Sequence, residues 1–465
     1  MSAGTGAQGA QEKRRTKASP ARLAALDVVR AVRERGAYAQ ELISTRIDDS
    51  NLSPSDRAFA TRLVLGVVSC QGTLDEVIDR ALRSPSDVRD DVRDALRIST
   101  YEIIFLHKSP HAAVDQGVEL VRSFEPRASR LANAALRKIV ELSQSFPFGD
   151  PNHDLAALAR LYAFPQWLCK RLIDELGAPE AVEFMRASNE PAPLFVAANA
   201  CKTDDEAFVR VFEKAGEIIS PSGSGGLSVA GCYQLSDSKA LLLPEVKKLL
   251  SQGKMLVSDA SSQLVAASIL PKERPSSFLE IGAGRATKTI LLQSDAKRAY
   301  GAQIEHYAAL DNHSFKMELL ADRAKLYGVS VEEALTGDAL RLSDTVGDRL
   351  FDVVFIDAPC SGLGTLRRHP EIRWRFEEAS IAPLAKTQLA MLQAAAPHVR
   401  PGGELAYATC TVTSEENSGV VKSFLASEAG SNFRLAPLAG RSCVATRLSP
   451  GSPDAHFAAR FLRVD

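Results

Sequence analysis

The spacing of apolar residues changes once along this chain, near residue 256, and that change limits the fold more than any other feature. Upstream, apolar residues recur at helical spacing. Residues 22–32 set Leu23, Leu26, Val29 and Val32 on one stripe. Ser53 followed by Pro54 is a helix cap with proline at the first helical position, opening a helix over 57–70. Residues 86–108 and 129–143 repeat the amphipathic pattern, and strand signals are absent from 19 to 145. An all-α domain is expected there. Downstream of 256, strand and helix patterns alternate, as in a doubly wound parallel sheet. Residues 278–281 read as a strand entering a glycine turn. Residues 351–356 form an apolar run without alternation, as strands buried on both faces do. Residues 404–408 follow Pro401-Gly402-Gly403 as a further strand.

The stretch between these regions is mixed. Residues 146–152 hold Pro147, Gly149 and Pro151 and mark a domain boundary. Residues 153–187 are helical, Pro191 and Pro193 break the pattern, 194–200 reads as a strand and 220–226 as a turn. The expected organisation is a disordered basic tail over 1–18, an all-α domain over 19–145, a small α/β connector over 150–255 and a Rossmann-like α/β domain over 256–465. In the tail, Lys13, Arg14, Arg15 and Lys17 are suited either to touching phosphate or to keeping the chain soluble.

Composition removes several classes. With 45% hydrophobic and 24% charged residues, the 465-residue chain is neither fibrous nor mostly disordered. No apolar run is long enough to span a bilayer, and residues 1–17 lack the apolar core of a secretory signal, so a cytoplasmic location without membrane contact is expected. The seven cysteines show no C-x-x-C spacing, so neither a disulfide scaffold nor a zinc site, nor any other metal, is expected. Net charge is 56 − 57 = −1, so any nucleic-acid contact must come from local patches.

Chemistry-bearing residues cluster at the ends of the predicted strands. Gly282, Ala283 and Gly284 form a turn through which the backbone can approach a ligand. Asp311 ends an apolar stretch at the distance where doubly wound nucleotide folds place a ribose-binding acid, and Asp338 follows the next strand-like segment. In that order they suggest an adenosine-type cofactor. Asp357-Ala358-Pro359-Cys360 leaves one buried strand and Tyr407-Ala408-Thr409-Cys410 leaves another. Two cysteines at strand exits, where open α/β sheets carry their sites, point to paired function. Thr413 to Glu416 resembles a capping box, and a helix N-terminus there is expected to lower the pKa of the Cys410 thiol. The run Arg367, Arg368, His369, Arg373, Trp374 and Arg375 suits phosphate and base contacts. His153, His306 and His313 read as surface or structural, and Cys70, Cys169, Cys201 and Cys232 as packing residues.

These motifs resemble RNA cytosine-5 methyltransferases of the Nop/Sun type. The matching runs are 257–263 (V-S-D-A-S-S-Q), 357–362 (D-A-P-C-S-G), 367–374 (R-R-H-P-E-I-R-W), 407–410 (Y-A-T-C) and 415–417 (E-E-N). Residues 162–167 and 189–194 resemble the family's connector, and 19–143 resemble a NusB-type RNA-binding helical domain. That fusion points to the ribosomal-RNA (Sun/Fmu) branch. The resemblance implies S-adenosylmethionine as cofactor, held by Gly282, Ala283, Gly284, Arg285, Ala286, Thr287, Lys288, Asp311, Asp338 and Asp357. It implies Cys410 as nucleophile, Cys360 as the second cysteine that helps release product, and Asp357 as a further catalytic group. The substrate it implies is a cytosine of small-subunit (16S) ribosomal RNA. Two departures stand out. The family's C-A-A-P-G-G-K-T is Gly282-Ala283-Gly284-Arg285-Ala286-Thr287-Lys288-Thr289 here, and the Arg-Val-Asn after the connector's proline pair is Ala197-Ala198-Asn199.

Carbon 5 of cytosine is a weak nucleophile. Addition of a thiolate to carbon 6 makes it enamine-like, after which a proton must leave carbon 5 and the thiol must be eliminated. One nucleophile and one acid–base group are needed, which rationalises two cysteines. The altered cofactor motif keeps a non-catalytic RNA-binding assembly factor as an alternative, and the same chemistry on transfer RNA is the other.

Overall fold

The computed structural model describes residues 18–48 and 50–464. The basic residues assigned to the tail, Lys13 to Lys17, lie outside the described residues. The chain divides into two compact units, Met1–Gln166 and Trp167–Asp465.

Among its described residues the first unit is entirely helical: α1 (Pro20–Arg35), α2 (Ala39–Ile43), α3 (Pro54–Ala81), α4 (Asp90–Ile104), α5 (Pro110–Arg122), α6 (Ser129–Ser143) and α7 (Leu155–Tyr162). Ser53 caps α3, its hydroxyl accepting the Asp56 N–H at 3.1 Å. This helix runs well past Cys70, because Leu74, Val77 and Ile78 continue its buried stripe. Helix α4 begins at Asp90 rather than Ser86, since Pro85–Asp87 turns as a short 3₁₀ segment. Arg97 is enclosed between Asp75 at 2.8 Å and Asp94 at 2.6 Å, so its buried charge is matched.

The second unit opens with α8 (Gln166–Leu176) and α9 (Ala178–Ala187) and then forms a small antiparallel sheet from β1 (Leu194–Ala198), β2 (Ile219–Ser224), β3 (Leu227–Leu235) and β4 (Met255–Val257). The order is β2-β3-β1-β4, with α10 (Asp205–Lys214) and α11 (Pro244–Ser251) between its strands in the chain. Successive residues of β1 serve two cores. Val196 and Ala198 pack with Phe208 and Phe212 of α10, while Phe195 and Ala197 join the core beneath the larger sheet. The turn expected over 220–226 is confined to Gly225 and Gly226. Residues 219–224 are an edge strand, where Pro221 is tolerated beside a break in register.

The larger sheet contains β5 (Ser277–Ile281), β6 (His306–Asp311), β7 (Glu333–Thr336), β8 (Phe351–Asp357), β9 (Val399–Thr409), β10 (Phe433–Ala436), β11 (Val444–Ala445) and β12 (Phe457–Arg463). Its order is β10-β12-β9-β8-β5-β6-β7, with β11 added beside β12. Strands β5 to β9 are parallel and β12 is antiparallel to β9. Helices α12 (Ala260–Ile269), α13 (Thr287–Tyr300) and α14 (Ser314–Tyr327) contribute to one core. Helices α15 (Leu342–Val346), α17 (Ile381–Ala395) and α18 (Val420–Leu425) contribute to the other, and a single turn, α16 (Ile372–Arg375), lies between α15 and α17 in the chain. Val353 and Phe355 face the first core, Val354 and Ile356 the second, which explains the unbroken apolar run of β8. Strand order reverses between β5 and β8, so the crevice outside their carboxyl ends is a topological switch point.

Phe424 is fully buried and meets Phe461 at a 5.0 Å ring separation. Phe424→Ala is expected to destabilise the second unit by about 3–5 kcal/mol. Tryptophan fluorescence during guanidinium unfolding isolates this unit, because Trp167 and Trp374 both belong to it.

Candidate active site

The glycine turn after β5 is shaped by its neighbours. Gly282 has φ 83°, and a Cβ there would come within 2.3 Å of the Asp357 carbonyl oxygen, so only glycine fits. The Gly282 and Ala283 N–H groups donate to the Leu310 carbonyl at 2.8 and 3.1 Å, tying the turn to the end of β6. Gly284 N–H donates to the carboxylate of Asp311 at 3.1 Å. That carboxylate is almost fully buried and also takes Lys316 at 3.1 Å. Beneath the turn, Glu280 accepts hydrogen bonds from Thr289 at 2.6 Å and Tyr307 at 2.8 Å, and burial pushes its carboxyl up to about 7.

The altered motif leaves a trace in the backbone. Ala286 is fully buried and left-handed, φ 61° and ψ 17°, at a position where the Nop/Sun pattern has glycine. A side chain in that region costs roughly 1–2 kcal/mol. Arg285 is exposed, and its carbonyl accepts Arg323 at 2.8 Å. Thr287 opens α13, and Lys288 donates to Asp357 at 2.7 Å across the switch point. Asp338 directly follows Gly337, whose N–H donates to the Asp311 carbonyl at 3.1 Å. It lies beyond β7, and its carboxylate accepts the Leu340 N–H at 2.9 Å within a local turn.

The two cysteines meet. Their Sγ atoms are 3.3 Å apart, and Cys410 N–H donates to the Cys360 sulfur at 3.3 Å. The thiol hydrogen bond from Cys360, opposed by burial and helped by the Lys288 ammonium, holds Cys410 below the ordinary thiol pKa. That same hydrogen bond, then burial, holds Cys360 well above it. Cys410 is therefore the more acidic of the two thiols and Cys360 the less acidic. The expected helix-terminus effect does not produce this. Glu415–Gly419 is a π-type turn, and the Thr413 hydroxyl donates to the Glu416 carboxylate at 2.7 Å instead of capping a helix.

Glu416 itself is fully buried and joins the two cysteine loops. It accepts the Ser361 N–H at 2.8 Å, the Ser361 hydroxyl at 2.6 Å, the Thr411 hydroxyl at 3.1 Å and the Gln388 amide at 3.1 Å. Gln388 also donates to the Pro359 carbonyl at 2.9 Å and accepts from Tyr407 at 3.0 Å. Sequence reading gave Glu416, Gln388 and Tyr407 no positioning role. Glu416 lay in a matching run, but nothing local to it shows that its partners come from another strand's loop.

The basic run behaves differently from its reading as a phosphate-binding face. Arg368 pairs with Asp259, the cap of α12, and with Asp454, each at 2.8 Å. Burial and the neighbouring Asp259 charge push the Asp454 carboxyl up to about 6. Arg367 is buried against the Ser452 carbonyl, and Arg373 against Asn189 at 2.8 Å. Arg368 and Arg373 thus bind the matching runs to one another, and Arg367 ties its run to residues 452–454, because each finds an internal oxygen within reach. Arg375 is exposed.

A parallel sheet with its switch point at a glycine turn, a buried acid on the adjoining strand and an antiparallel strand beyond β9 is the architecture of a Rossmann-like methyltransferase. The model of the NusB family matches residues 19–141, and that of the 16S rRNA methyltransferase RsmB/F family matches residues 267–461. A putative methyltransferase of Mycobacterium tuberculosis is 32% identical over 88% of this chain and 87% of its own. A probable ribosomal RNA small subunit methyltransferase B of Bacillus subtilis is 29% identical over 86% of this chain and 87% of its own. The crystal structure of PH0851 superposes with a TM-score of 0.78 at 23% identity, covering 96% of this chain and all of that one. The chain belongs to the RsmB/F family of rRNA methyltransferases, with a NusB domain at its N-terminal side.

Iodoacetamide is expected to alkylate Cys410 faster than Cys169 or Cys232, whose thiols burial pushes up to about 11 and 12. Cys360→Ala removes the donor that stabilises the thiolate, so the Cys410 alkylation profile should move to higher pH; peptide mass spectrometry reads both. Glu416→Gln turns an amide donor toward groups that themselves donate. A loss of about 1–3 kcal/mol in denaturant unfolding and slower Cys410 alkylation are expected.

Proposed function

We propose that this chain transfers a methyl group from S-adenosylmethionine to carbon 5 of a cytosine in small-subunit ribosomal RNA, through a covalent cysteine–cytosine intermediate. The reading rests chiefly on the 3.3 Å approach of two sulfurs with opposite protonation preference beside the Lys288–Asp357 pair.

The residues present fit the cofactor. Gly282 lets the turn close against the Asp357 carbonyl at the switch point, and Asp311 presents a buried carboxylate at the end of the adjoining strand. In this proposal Gly282 to Lys288 line the cofactor cleft, Asp311 receives the ribose hydroxyls, and Asp338, at the end of β7, meets the base. When bound, the cofactor supplies an electrophilic methyl on sulfonium.

The Cys410 thiolate adds to carbon 6, and the electron pair of the 5,6 double bond becomes available at carbon 5 to take up the methyl group. Asp357, held by Lys288, hydrogen-bonds the amino edge of the ring and stabilises charge developing there. With Cys410 bound as a neutral thioether, the main influence raising the Cys360 pKa is gone. Cys360 then gives its thiol proton to solvent and, as thiolate, takes the proton from carbon 5; the electron pair of that carbon–hydrogen bond restores the 5,6 double bond, the carbon–sulfur bond breaks and Cys410 leaves as thiolate. Extrusion of the cytosine costs a few kcal/mol, and contacts along the RNA offset it. Residues 19–145 serve as the RNA-binding helical domain, 150–255 as connector and 256–465 as catalytic domain. The reaction takes place in the cytoplasm; no described helix is long and apolar enough to cross a membrane.

Methyl transfer from labelled cofactor to unmodified small-subunit RNA should vanish in Cys410→Ala. Cys360→Ala should accumulate a protein–RNA adduct that survives denaturing electrophoresis. Unchanged activity in Cys410→Ala removes its assigned role. Bisulfite sequencing of a deletion strain distinguishes ribosomal from transfer RNA, and absent cofactor binding in calorimetry favours an assembly factor.

A further inference from the structure

Beside the Cys410 loop lies a cavity of about 400 Å³. Thr411 and Val412, directly after Cys410, form one wall. Two buried aromatic residues, Phe184 of α9 and Phe457 of β12, form others, with Glu180, Glu183 and Arg447 exposed around it. His456 also lines it. Strands β9 and β12 pair Phe457 with Thr409, and His456 and Cys410 are the residues just beyond that last pair.

His456 is 7% exposed, and its Nδ1 is sealed from solvent without a hydrogen-bond partner. Among the described residues it is the one lining this cavity that carries such an atom. Buried polar atoms without partners are uncommon and call for a ligand, water or strain as explanation. Burial and the Lys288 ammonium, opposed by Asp259, Asp357 and the Asp454 backbone, push the imidazole down to about 4, so it is neutral. A neutral ring presents one donor and one acceptor.

We infer that this cavity receives a nucleobase adjacent to the target cytosine on the RNA strand, and that His456 reads the edge of that base. The inference rests on the proposed reaction, because a target base held at Cys410 necessarily brings its strand neighbours next to the Cys410 loop. A cavity with apolar walls and a few polar groups, His456 among them, is the usual form of a pocket for a ligand the size of a base. Glu180 and Glu183 disfavour a phosphate inside and accept from exocyclic amino groups, so adenine, cytosine or guanine fits better than uracil. Arg447, outside, suits the phosphate that carries the base.

The test uses the full chain and short RNAs containing the mapped target cytosine, with the nucleotides on either side randomised. Methylation is read by bisulfite sequencing for wild type, His456→Leu and Val412→Trp, the last filling the cavity with the imidazole left in place. Melting temperatures of both variants confirm folding. Wild type should prefer an amino-bearing base at one flanking position by about ten-fold or more, the range of a good edge contact. Either variant should reduce that preference to roughly two-fold and raise KM for the preferred RNA more than it lowers kcat. Unchanged preference in both folded variants, with the RNA still methylated, overturns the subsite alone. A wild-type protein that methylates no RNA overturns the reaction reading and this inference together.

Discussion

The carboxylate of Glu416 is buried to exclusion of solvent and held by neutral donors from two loops and α17: the main-chain and side-chain groups of Ser361, the hydroxyls of Thr411 and Thr413, and the amide of Gln388. No cation pairs with it among the described residues. A buried charge satisfied by hydrogen bonds alone tolerates little loss of geometry, because each withdrawn donor leaves part of its desolvation uncompensated. The loops that supply those donors carry Cys360 and Cys410. The cost of moving them apart is therefore paid at Glu416, a group that takes no part in the chemistry.

The sheet decides where this clamp sits. Parallel order brings the ends of β5, β6, β8 and β9 to one edge, and the reversal between β5 and β8 opens the crevice there. Lys288 and Asp357 face each other across it, and the Lys288 charge favours the Cys410 thiolate while disfavouring protonation of His456. That one charge acts on groups of two separate elements, behind the Cys360 hydrogen bond at Cys410 and behind burial at His456.

Much of this was legible in the sequence, for local reasons. Helical spacing located α1 and α6, and the Ser53 cap located the start of α3. The apolar run of β8 announced burial on both faces. The strand exits of Cys360 and Cys410 followed from the same patterns. What could not be read depends on partners far apart in the chain. Arg367, Arg368 and Arg373 form a charged run by composition, yet their partners are Ser452, Asp454, Asp259 and Asn189, and only the fold brings those near. The edge strand at 219–224 hid behind serine, proline and glycine, because its pairing with β3 outweighs weak local preference. His456 gave no local sign of its place, since its position depends on the antiparallel register of β12 against β9.

By itself the sequence determined which residue types stand at the strand ends, since period and turn chemistry are properties of neighbours in the chain. It placed two thiols, a glycine turn and the acids Asp311 and Asp357 at the same kind of position. The tertiary structure alone decided that the two thiols meet and which of them is the more acidic. Those outcomes depend on distances of a few ångströms between loops separated by tens of residues, and both thiol acidity and hydrogen bonding change steeply over that range.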